Sequence, residues 1–474
     1  MRSPVTLFGR LIAAVMLLVA LPALAQEPRW RDLVGGGSLA GWRTLGGKAP
    51  YVVEGGEVVG RSILNSPNSW LATKETFGDF ILEYEAKVDP KLNSGVMIRG
   101  LSRADYRGGK VHGYQAEIDS SPRAWSGGIY DEERRGWLNP LTRNPAAQRA
   151  FRVGDWNRFR VEAIGSSIRT WVNGVPAANL VDAMTARGFI ALQVHSVPDD
   201  PAMVGLQARF RNVRLLTENV EKHATPPVPD IKQFSYLPNQ LTDFEKSQGW
   251  RLLWDGRTTN GWKGAKLAGF PEKGWEIRDG VLSVLPSGGG EARNGGDIVT
   301  TEEFSDFELQ LDFRLSPGAN SGIKYFVDPT LLKGEGSAIG LEFQLLDDER
   351  HPDAKMGVAG NRTIGSLYDL IAATNLSEAD RTTKRVNPPG EWNRARIVVR
   401  GRHVEHWLND IKVVEYERGT QMFRALVAYS KYRDWPRFGE YESGPILLQD
   451  HGDLVSFRSI KIRPLQPGTP GADR

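Results

Sequence analysis

Acidic and amide side chains alternate with apolar residues in two stretches of this chain, 113–119 and 340–347. The polar members are Gln115, Glu117 and Asp119 in the first stretch, and Glu342, Gln344 and Asp347 in the second. Side chains two positions apart on a strand point to the same face, although Asp347 needs a one-residue offset to match Asp119. Such a row can be the solvated face of a sheet. It can also face a ligand, which is favoured because both stretches keep an acid beside an amide.

Two histidines recur in the same local context. Each lies two residues after a glutamine, His195 after Gln193 and His451 after Gln449, so each Gln/His pair shares one face of a strand. Histidine is a general acid or base near neutral pH and a common metal ligand. A histidine hydrogen-bonded at a sheet edge is the alternative, and the sequence leaves both interpretations open.

Other polar residues recur beside these. Tyr130 and Tyr368 each precede an aspartate on a predicted loop, where the phenol can bind a ligand or fill a core. Asn-Ser-Gly, at 93–95 and again at 320–322, is more typical of a turn or a close backbone approach. In the strands that follow, alternation places Arg99 and Lys324 on one face, where a cation would stabilise a developing oxyanion.

The recurrence has one cause, a tandem duplication. Phe-x-Asp-Phe recurs with Asp79 and Asp306, and Asn-Ser-Gly with Asn93 and Asn320, and both offsets (306 − 79 and 320 − 93) equal 227. Trp-Arg-x-Leu, Trp-Asn-Arg, Trp-x-Asn and Gln-x-His recur in the same order. Solenoid repeats are only about 20–50 residues long, so each copy is a whole domain.

Strand patterns dominate both copies. Residues 307–315 alternate apolar and polar, while 158–174 and 394–410 are predicted to form hairpins that turn near Gly165 and Gly401. Many short strands joined by turns predict an all-β fold, with one antiparallel sandwich in each copy. The predicted division is a signal peptide (1–25), a first domain (26–217), a linker (218–247), a second domain (248–465) and a disordered tail (466–474).

The N-terminal residues are typical of an export signal. Arg2 and Arg10 flank a short basic region, residues 11–21 are apolar, and Ala23-Leu-Ala25 fits a cleavage site. The apolar run is shorter than the roughly 20 residues that cross a membrane. We therefore expect cleavage near Ala25 and a periplasmic or secreted protein with no stable membrane span. An uncleaved anchor is the alternative.

Composition argues against several other classes of protein. The chain has no cysteine, so disulfides, thiolate catalysis, a cysteine-linked lipid and cysteine-ligated metals are excluded. The net charge is +3 and no run of Lys and Arg is present, so no nucleic-acid partner is expected. The sequence has no glycine-rich nucleotide motif, no His-Glu-x-x-His and no convincing Gly-x-Ser-x-Gly.

The recurring motifs together resemble the 3-keto-disaccharide hydrolase domain family. The resemblance rests on Phe-x-Asp-Phe, Asn-Ser-Gly-Ile, Gly-x-Glu-x-Gln-x-x-Asp, Tyr-Asp-Leu, Pro-Pro-Gly-Glu-Trp-Asn, His-Trp-Leu-Asn and Leu-Gln-Asp-His-Gly. It is strong over 250–464 and looser over 30–216. It implies two tandem concanavalin A-like (lectin/glucanase) sandwiches, each with a concave ligand face.

The resemblance also implies an enzyme that acts on 3-keto sugars. A ketone at C3 acidifies the hydrogen at C2, so a base can form an enolate, the C1 substituent can leave and water can add. This route does not need the paired carboxylates of ordinary glycosidases. The implied base and acid are Glu342 and His451, with Glu117 and His195 in the first copy. The implied substrate-binding residues are Lys324, Gln344, Asp347, Tyr368 and Gln449, and in the first copy Arg99, Gln115, Asp119, Tyr130 and Gln193. A divalent cation on these oxygens and His451 fits the same chemistry.

The first copy departs from the family pattern. It has Arg99 where the second has Phe326, and the order of its acid and amide is reversed. It therefore either acts on a different sugar or only binds one. Two other classes stay open for the whole chain: a non-catalytic carbohydrate-binding protein with two lectin-like sandwiches, and a structural protein of the cell envelope.

Overall fold

The structure is a computed structural model that describes residues 27–466, apart from 289, 329, 331–336, 378–383 and 436. The predicted signal peptide, and all of the predicted tail after Gln466, lie outside the described residues. Strands form most of the regular structure, and the helices are short. Among the described residues no helix is both long and apolar enough to cross a membrane.

The first copy contains strands β1 to β15, helix α1 and three short 3-10 turns. The strands are β1 (Arg31–Asp32), β2 (Trp42–Gly46), β3 (Tyr51–Glu54), β4 (Glu57–Arg61), β5 (Ser69–Thr73), β6 (Phe80–Val88), β7 (Ser94–Ser102), β8 (Val111–Ile118), β9 (Ile129–Glu132), β10 (Gly136–Asn139), β11 (Asn157–Ile164), β12 (Ser167–Val172), β13 (Val175–Val181), β14 (Phe189–Val194) and β15 (Gln207–Leu216). Helix α1 is Pro145–Gln148, and the 3-10 turns are Gly35–Gly37, Arg107–Gly109 and Pro201–Met203.

The segment between the copies and the second copy contain the remaining elements. The connecting segment holds α2 (Val220–His223), β16 (Phe234–Ser235) and α3 (Asp243–Ser247). The strands of the second copy are β17 (Arg251–Leu252), β18 (Trp262–Gly264), β19 (Trp275–Arg278), β20 (Val281–Val284), β21 (Ile298–Thr300), β22 (Phe307–Leu315), β23 (Asn320–Asp328), β24 (Ile339–Leu346), β25 (Trp392–Arg400), β26 (His403–Leu408), β27 (Ile411–Glu417), β28 (Leu447–Leu448) and β29 (Val455–Pro464). Helix α4 is Gln421–Ala428, and a 3-10 turn spans Pro352–Lys355.

Each copy is a sandwich of two sheets. The back sheets run β16-β13-β12-β11-β6-β15-β4-β3, with β1 also on β15, and β19-β20-β29-β22-β25-β26-β27, with β17 on β29. The front sheets run β10-β9-β8-β7-β14-β5-β2 and β18-β21-β28-β23-β24. Strand pairs within the two copies are antiparallel. The predicted fold class, two tandem concanavalin A-like antiparallel sandwiches, is confirmed.

The apolar core of each sandwich follows from strand alternation. On β8 the side chains of Tyr114, Ala116 and Ile118 are buried between the sheets, as are those of Leu341 and Phe343 on β24. The polar residues between them must therefore point away from the core. The outer face of each front sheet is where the predicted ligand row lies.

Two of the recurring motifs close the back-sheet hairpins. In the first copy Asp79 accepts a hydrogen bond from the backbone N–H of Gly165, the residue at which the hairpin of β11 and β12 turns. In the second copy Asp306 accepts the same bond from Gly401. The aspartate of Phe-x-Asp-Phe is thus kept because it satisfies a backbone donor in a tight turn.

The paired asparagines of Trp-Asn-Arg and Trp-x-Asn form a clasp in each copy. The Asn173 Nδ2 group donates to Asn157 Oδ1 over 2.8 Å, and Asn409 Nδ2 donates to Asn393 Oδ1 over the same distance. The second asparagine of each pair also accepts the backbone N–H of Arg158 or Arg394. These recurring residues hold β11 to β12 and β25 to β26.

Buried ion pairs tie the connecting segment to the second back sheet. Strand β16 extends the first back sheet by parallel pairing with β13. Just before it, Lys232 lies 3.2 Å from Glu308 of β22, whose carboxylate also bonds to Arg396 and Arg463. Burial alone would raise the pKa of Glu308, but these cations hold that pKa well below its ordinary value.

We expect Glu308→Ala to lower the free energy of unfolding by about 3–5 kcal/mol, because the buried Arg396 and the partly buried Lys232 and Arg463 would lose a shared partner. Calorimetric unfolding of the variant should show a transition shifted to lower temperature. Since the folded-state pKa of Glu308 is depressed, its contribution is present above the ordinary glutamate pKa and is lost as pH falls through the folded value. The matched control is Glu349→Ala, whose side chain is 82% exposed. Equal effects of the two changes would contradict this assignment.

Candidate active site on the second front sheet

Lys324 and Glu342 lie side by side on the outer face of the second front sheet. They are directly paired across β23 and β24, and both are buried. Gly322, the glycine of Asn-Ser-Gly, is next to them: a Cβ at that position would come within 2.2 Å of Glu342 Oε1. The motif therefore keeps a glycine here because the carboxyl of Glu342 fills the space.

A second carboxylate balances the charge of Lys324. Lys324 Nζ lies 3.7 Å from Asp297 Oδ2 and donates to Ala338 O over 3.2 Å. Burial disfavours the ammonium, but Asp297 and Glu342 together raise the pKa of Lys324, so the side chain stays charged. Burial also raises the pKa of Asp297 to about 7, even though Lys324 and two backbone N–H groups oppose the shift.

Glu342 has the environment of a general base. Burial raises the pKa of its carboxyl, while the ammonium groups of Lys324 and Lys431 limit the rise. In the orientation that satisfies both ends of its amide, Gln344 places its nitrogen 3.2 Å from Glu342 Oε1 and 3.0 Å from Ser321 O. A carboxyl whose pKa lies above the ordinary glutamate value can remove a weakly acidic proton near neutral pH.

Loops close this cluster from above. A cavity of about 20 Å³ is lined by Glu291, Lys324, Ile339, Gly340, Glu342, Lys431, Tyr432, Trp435 and Gln449. Gln449 Nε2 donates to Glu291 Oε1 over 3.2 Å, while its buried Oε1 has no hydrogen-bond partner. A buried carbonyl oxygen without a donor is a vacant acceptor for a ligand hydroxyl.

His451 joins the same end of the sheet through Asn320. Its Nε2 lies 3.3 Å from the Asn320 amide nitrogen, and its ring is 6.2 Å from that of His351. Burial lowers the pKa of His451 despite nearby carboxylates, so the imidazole is neutral near pH 7. The neutral form suits a proton acceptor better than the acid role expected from the sequence.

Two other predicted residues of this copy have different surroundings. The Tyr368 hydroxyl donates to Asp353 over 2.7 Å, and its ring lies 4.0 Å from Lys431 Nζ, close to the cavity. Asp347 instead accepts hydrogen bonds from the backbone of Gly318 and from Arg350. It shapes a loop at the strand end, and the structure does not bring it to the cavity.

The first copy assembles an acid and amides at the corresponding place. Glu117 accepts hydrogen bonds from Asn93 over 2.6 Å and from Gln115 over 2.7 Å. Burial raises the pKa of Glu117 to about 7, although these two donors oppose the shift. Gln193 lies on the neighbouring strand β14, and its Oε1, like that of Gln115, is buried without a partner.

The charged pair of the second copy is missing from the first. The offset of 227 aligns Asp297 with Trp70 (297 − 70) and Lys324 with Met97 (324 − 97). Trp70 and Met97 pack with Ala72, Val111 and Phe189 in an apolar cluster on the outer face. Both members of the ion pair have changed together, so the first copy has no cation at this position.

The remaining predicted residues of the first copy have separate surroundings. Asp119 accepts hydrogen bonds from Arg123 and Ser121 in a loop. The His195 Nδ1 atom lies 3.0 Å from the carbonyl oxygen of Ser196. Tyr130 is paired with Gln115 across β8 and β9, beside the acid and amide row.

Arg99 corrects the expectation from alternation. A bulge with a φ of 48° at Arg99 turns its side chain inward, where it donates to Gly78 O and Gly165 O and pairs with Asp79. It is 1% exposed and does not share the face of Gln115. One extra residue in a strand reverses the faces of the residues after it, which strict alternation misses.

Sequence reasoning missed Asp297, Glu291, Lys431, Tyr432 and Trp435. A search for residues shared by the copies does not find them, because none has a matching residue in the first copy. The sequence held one signal for Asp297. At the offset of 227 this residue aligns with a tryptophan, Trp70, within a stretch where the two copies otherwise agree. The others come from loops, whose approach to a sheet cannot be read from strand alternation.

A family model matches the chain in two places. The model of the 3-keto-alpha-glucoside-1,2-lyase-like domain matches residues 29–216 and again residues 249–463. The chain belongs to this family. The resemblance stated from the motifs, in two tandem copies, is thereby confirmed.

Individual relatives of this family member match about half of the chain. A 3-keto-disaccharide hydrolase of Bacteroides thetaiotaomicron is 37% identical over 239 residues, which cover 46% of this chain and 79% of that protein. A crystal structure of a glycosyl hydrolase candidate from Parabacteroides distasonis is 31% identical and covers 48% of this chain and 100% of its own, with a TM-score of 0.40. Carbohydrate-binding module CBM66 from Bacillus subtilis is 19% identical and covers 37% of this chain and 95% of its own, with a TM-score of 0.27.

The divalent cation that the sequence suggested near His451 stays a prediction. Among the described residues, three side chains have possible metal-ligand atoms within 4.8 Å of one another: His403, Glu405 and Glu415. These lie on the back sheet, where Lys412 is 2.9 Å from Glu405. The ammonium of Lys324 already supplies a positive charge beside Glu342.

Glu117→Gln should change how the stability of the first domain depends on pH. The raised pKa of Glu117 means that the folded state holds a proton that the unfolded state has lost between about pH 4 and 7, so wild-type stability falls over this range. The variant has no such proton. We expect it to match wild type near pH 4 and to be more stable by roughly 3 kcal/mol at pH 8. Thermal unfolding at both pH values measures this.

Glu349→Gln, at an exposed position, is the control for that experiment and should follow the wild-type profile. A Glu117→Gln profile parallel to that of wild type would show that the Glu117 carboxyl is ionised in the folded protein at low pH.

Proposed function

We propose that the second domain cleaves the glycosidic bond of 3-keto-disaccharides or related 3-keto-glycosides. The observation that carries the proposal is the pairing of a buried carboxyl, Glu342, with a charged ammonium, Lys324, on the outer face of a sheet. Family membership and the name of the Bacteroides relative supply the substrate class. Residues 1–25 support export to the periplasm or outside the cell.

The chemistry needs a base, a cation and a route for water. Glu342 removes the proton from C2, and the electron pair spreads over C2, C3 and the C3 oxygen as an enolate. Re-formation of the C3 carbonyl makes a C1–C2 double bond and expels the oxygen on C1, which takes up a proton. Water then adds its oxygen to C1 while a proton returns to C2. The net change is hydrolysis.

Each role is assigned to a group in the cavity or next to it. Lys324 stabilises the enolate oxygen, because a buried cation interacts strongly with a developing charge. Neutral His451 fits the activation of water in the second step. The free Oε1 of Gln449 accepts a hydrogen bond from a sugar hydroxyl, and Gln344 holds the carboxyl of Glu342 in position.

We propose a different role for the first domain, which binds a sugar without cleaving it. Trp70 and Met97 take the places of Asp297 and Lys324, so no ammonium faces an enolate there. The hydrogen-bonding groups of Gln115, Glu117 and Gln193 are retained. Such a site can recognise hydroxyl groups but lacks the cation that the elimination requires.

Assays with a 3-keto-disaccharide test this assignment. Glu342→Gln should lower kcat about 10²–10⁴-fold because the base is lost. Lys324→Met, which introduces the residue of the first copy, should lower it about 10²–10³-fold. Because the pKa of Glu342 is raised, the wild-type rate should increase as pH rises through that value. Release of a 3-keto monosaccharide, or of its dehydrated product, is followed by chromatography.

Glu117→Gln removes the buried acid of the first domain, which corresponds in position to Gln344, and should leave kcat unchanged. If Glu117→Gln lost activity and Glu342→Gln kept it, catalysis would belong to the first domain, and our assignment to the second domain would be wrong. Absence of turnover by the wild-type protein with any 3-keto-glycoside would refute the function itself.

A pair of glycine substitutions gives an independent test. In Gly322→Ala the new methyl group would contact Glu342, and in Gly95→Ala it would contact the Gln115 side chain at 2.6 Å. Since each substitution displaces the side chain beside it, Gly322→Ala should lower kcat at least tenfold, whereas Gly95→Ala should not change it. Melting temperatures of both variants show whether either has lost its fold. Similar kcat values for the two would argue against Glu342 as the base.

A further inference from the structure

The second copy has an insertion beside its candidate active site. From Asn173 to Gly188 the first copy takes 15 residues, whereas from Asn409 to Gly444 the second takes 35, an excess of 20. The two glycines are structurally equivalent, since they bridge Phe77 and Phe304 respectively. We call residues 418–435, which include helix α4, the cap segment.

The cap segment covers Glu342 and Lys324. Three of its residues, Lys431, Tyr432 and Trp435, line the cavity of about 20 Å³ around them. A cavity of that size holds about one water molecule, whereas pockets for small organic ligands are about 300–1,000 Å³. A sugar ring cannot reach Glu342 unless the cover moves.

The contacts of the cap segment suit such a movement. Its start is fixed by Arg418, which donates to Gly401 O and Tyr441 O. Met422 of helix α4 and Tyr429, directly after the helix, are 77% and 93% exposed. The turn after the helix is held to the domain body by a hydrogen bond from the Lys431 backbone N–H to Asp369 over 2.8 Å. Phe423 of the helix is also buried and stacks on Tyr416 at 5.9 Å between ring centroids. The first half of the segment is therefore anchored, and the movement is assigned to the part that follows the helix.

Two of the side chains over the cavity are aromatic, those of Tyr432 and Trp435. Tyr432 is buried and stacks on Phe438, which follows the cap segment, at 4.0 Å between ring centroids. Trp435 is partly exposed and lies 6.0 Å from Tyr432, so it extends from the cavity towards solvent. An aromatic ring at the rim of a site offers an apolar surface to the C–H face of a sugar.

We propose that the cap segment opens to admit the substrate and that Trp435 then packs against the sugar that leaves. Lys431, next to Tyr368 and Glu342, faces the sugar that carries the ketone. The proposal rests on the proposed function, and it assigns selectivity for disaccharides to a segment that the first domain lacks.

Steady-state kinetics with two substrates test the role of Trp435. One substrate is a 3-keto-disaccharide, and the other is the matching 3-keto methyl glycoside, which has no second sugar. We expect Trp435→Ala to raise KM for the disaccharide about tenfold, as the loss of one aromatic contact would, with little change in kcat or for the methyl glycoside. Trp435→Phe, which keeps a ring, should be close to wild type. Tyr429→Ala, on the same segment but directed to solvent, is the control.

Hydrogen exchange tests the movement of the cap. In Glu342→Gln, the backbone amides of residues 421–435 should exchange more slowly when the disaccharide is present, while the corresponding loop of the first domain should not change. Equal KM changes for both substrates would overturn the role of Trp435, and unchanged exchange would overturn the cap. Wild-type turnover is measured first, so a failure of the proposed function is recognised separately from a failure of this inference.

Discussion

The buried charge cluster of Lys324, Asp297 and Glu342 is the interaction on which the second domain's candidate site depends. Removing three charged groups from water is costly, and the cost is offset only if each has partners with good geometry. Asp297 meets this condition with the backbone N–H groups of Ala338 and Asp450. The same constraint explains Gly322, which leaves room for a carboxyl, and the loops that exclude solvent.

The duplication separates scaffold from chemistry in an unexpected way. Residues shared by the copies do mostly structural work: Asp79 and Asp306 satisfy turn donors, and the recurring serines Ser94 and Ser321 donate to the carbonyls of Gln193 and Gln449. The features of the candidate reaction lie where the copies differ. A fold that has been retained twice therefore supports one site with a buried ammonium and one site where an apolar cluster stands in place of that ammonium.

Strand alternation predicted a large part of this arrangement. It gave the sandwich class, the hairpins at Gly165 and Gly401, and the shared face of Glu342 and Gln344, because a period of two is a local property of an extended chain. It failed at Arg99, where a bulge turns the side chain inward. In the second copy Phe326 has the equivalent bulge, and Arg418, directly after β27, donates to Gly401 O as Arg99 donates to Gly165 O in the first copy. The two copies thus keep the same contact to the hairpin glycine with arginines from different places in the chain, and an alignment of the copies does not reveal such a contact.

By itself, the sequence determined that the chain holds two all-β domains of one family and which strands carry acids, amides and histidines. These are consequences of local pattern and of motif spacing. Only the tertiary structure decided that Lys324 has Asp297 as its counter-ion, that Trp70 and Met97 pack in an apolar cluster in the first copy, and that Lys431, Tyr432 and Trp435 cover the site. The physical reason is that burial and charge pairing depend on residues far apart in the chain, brought together when the loops pack on the sheet.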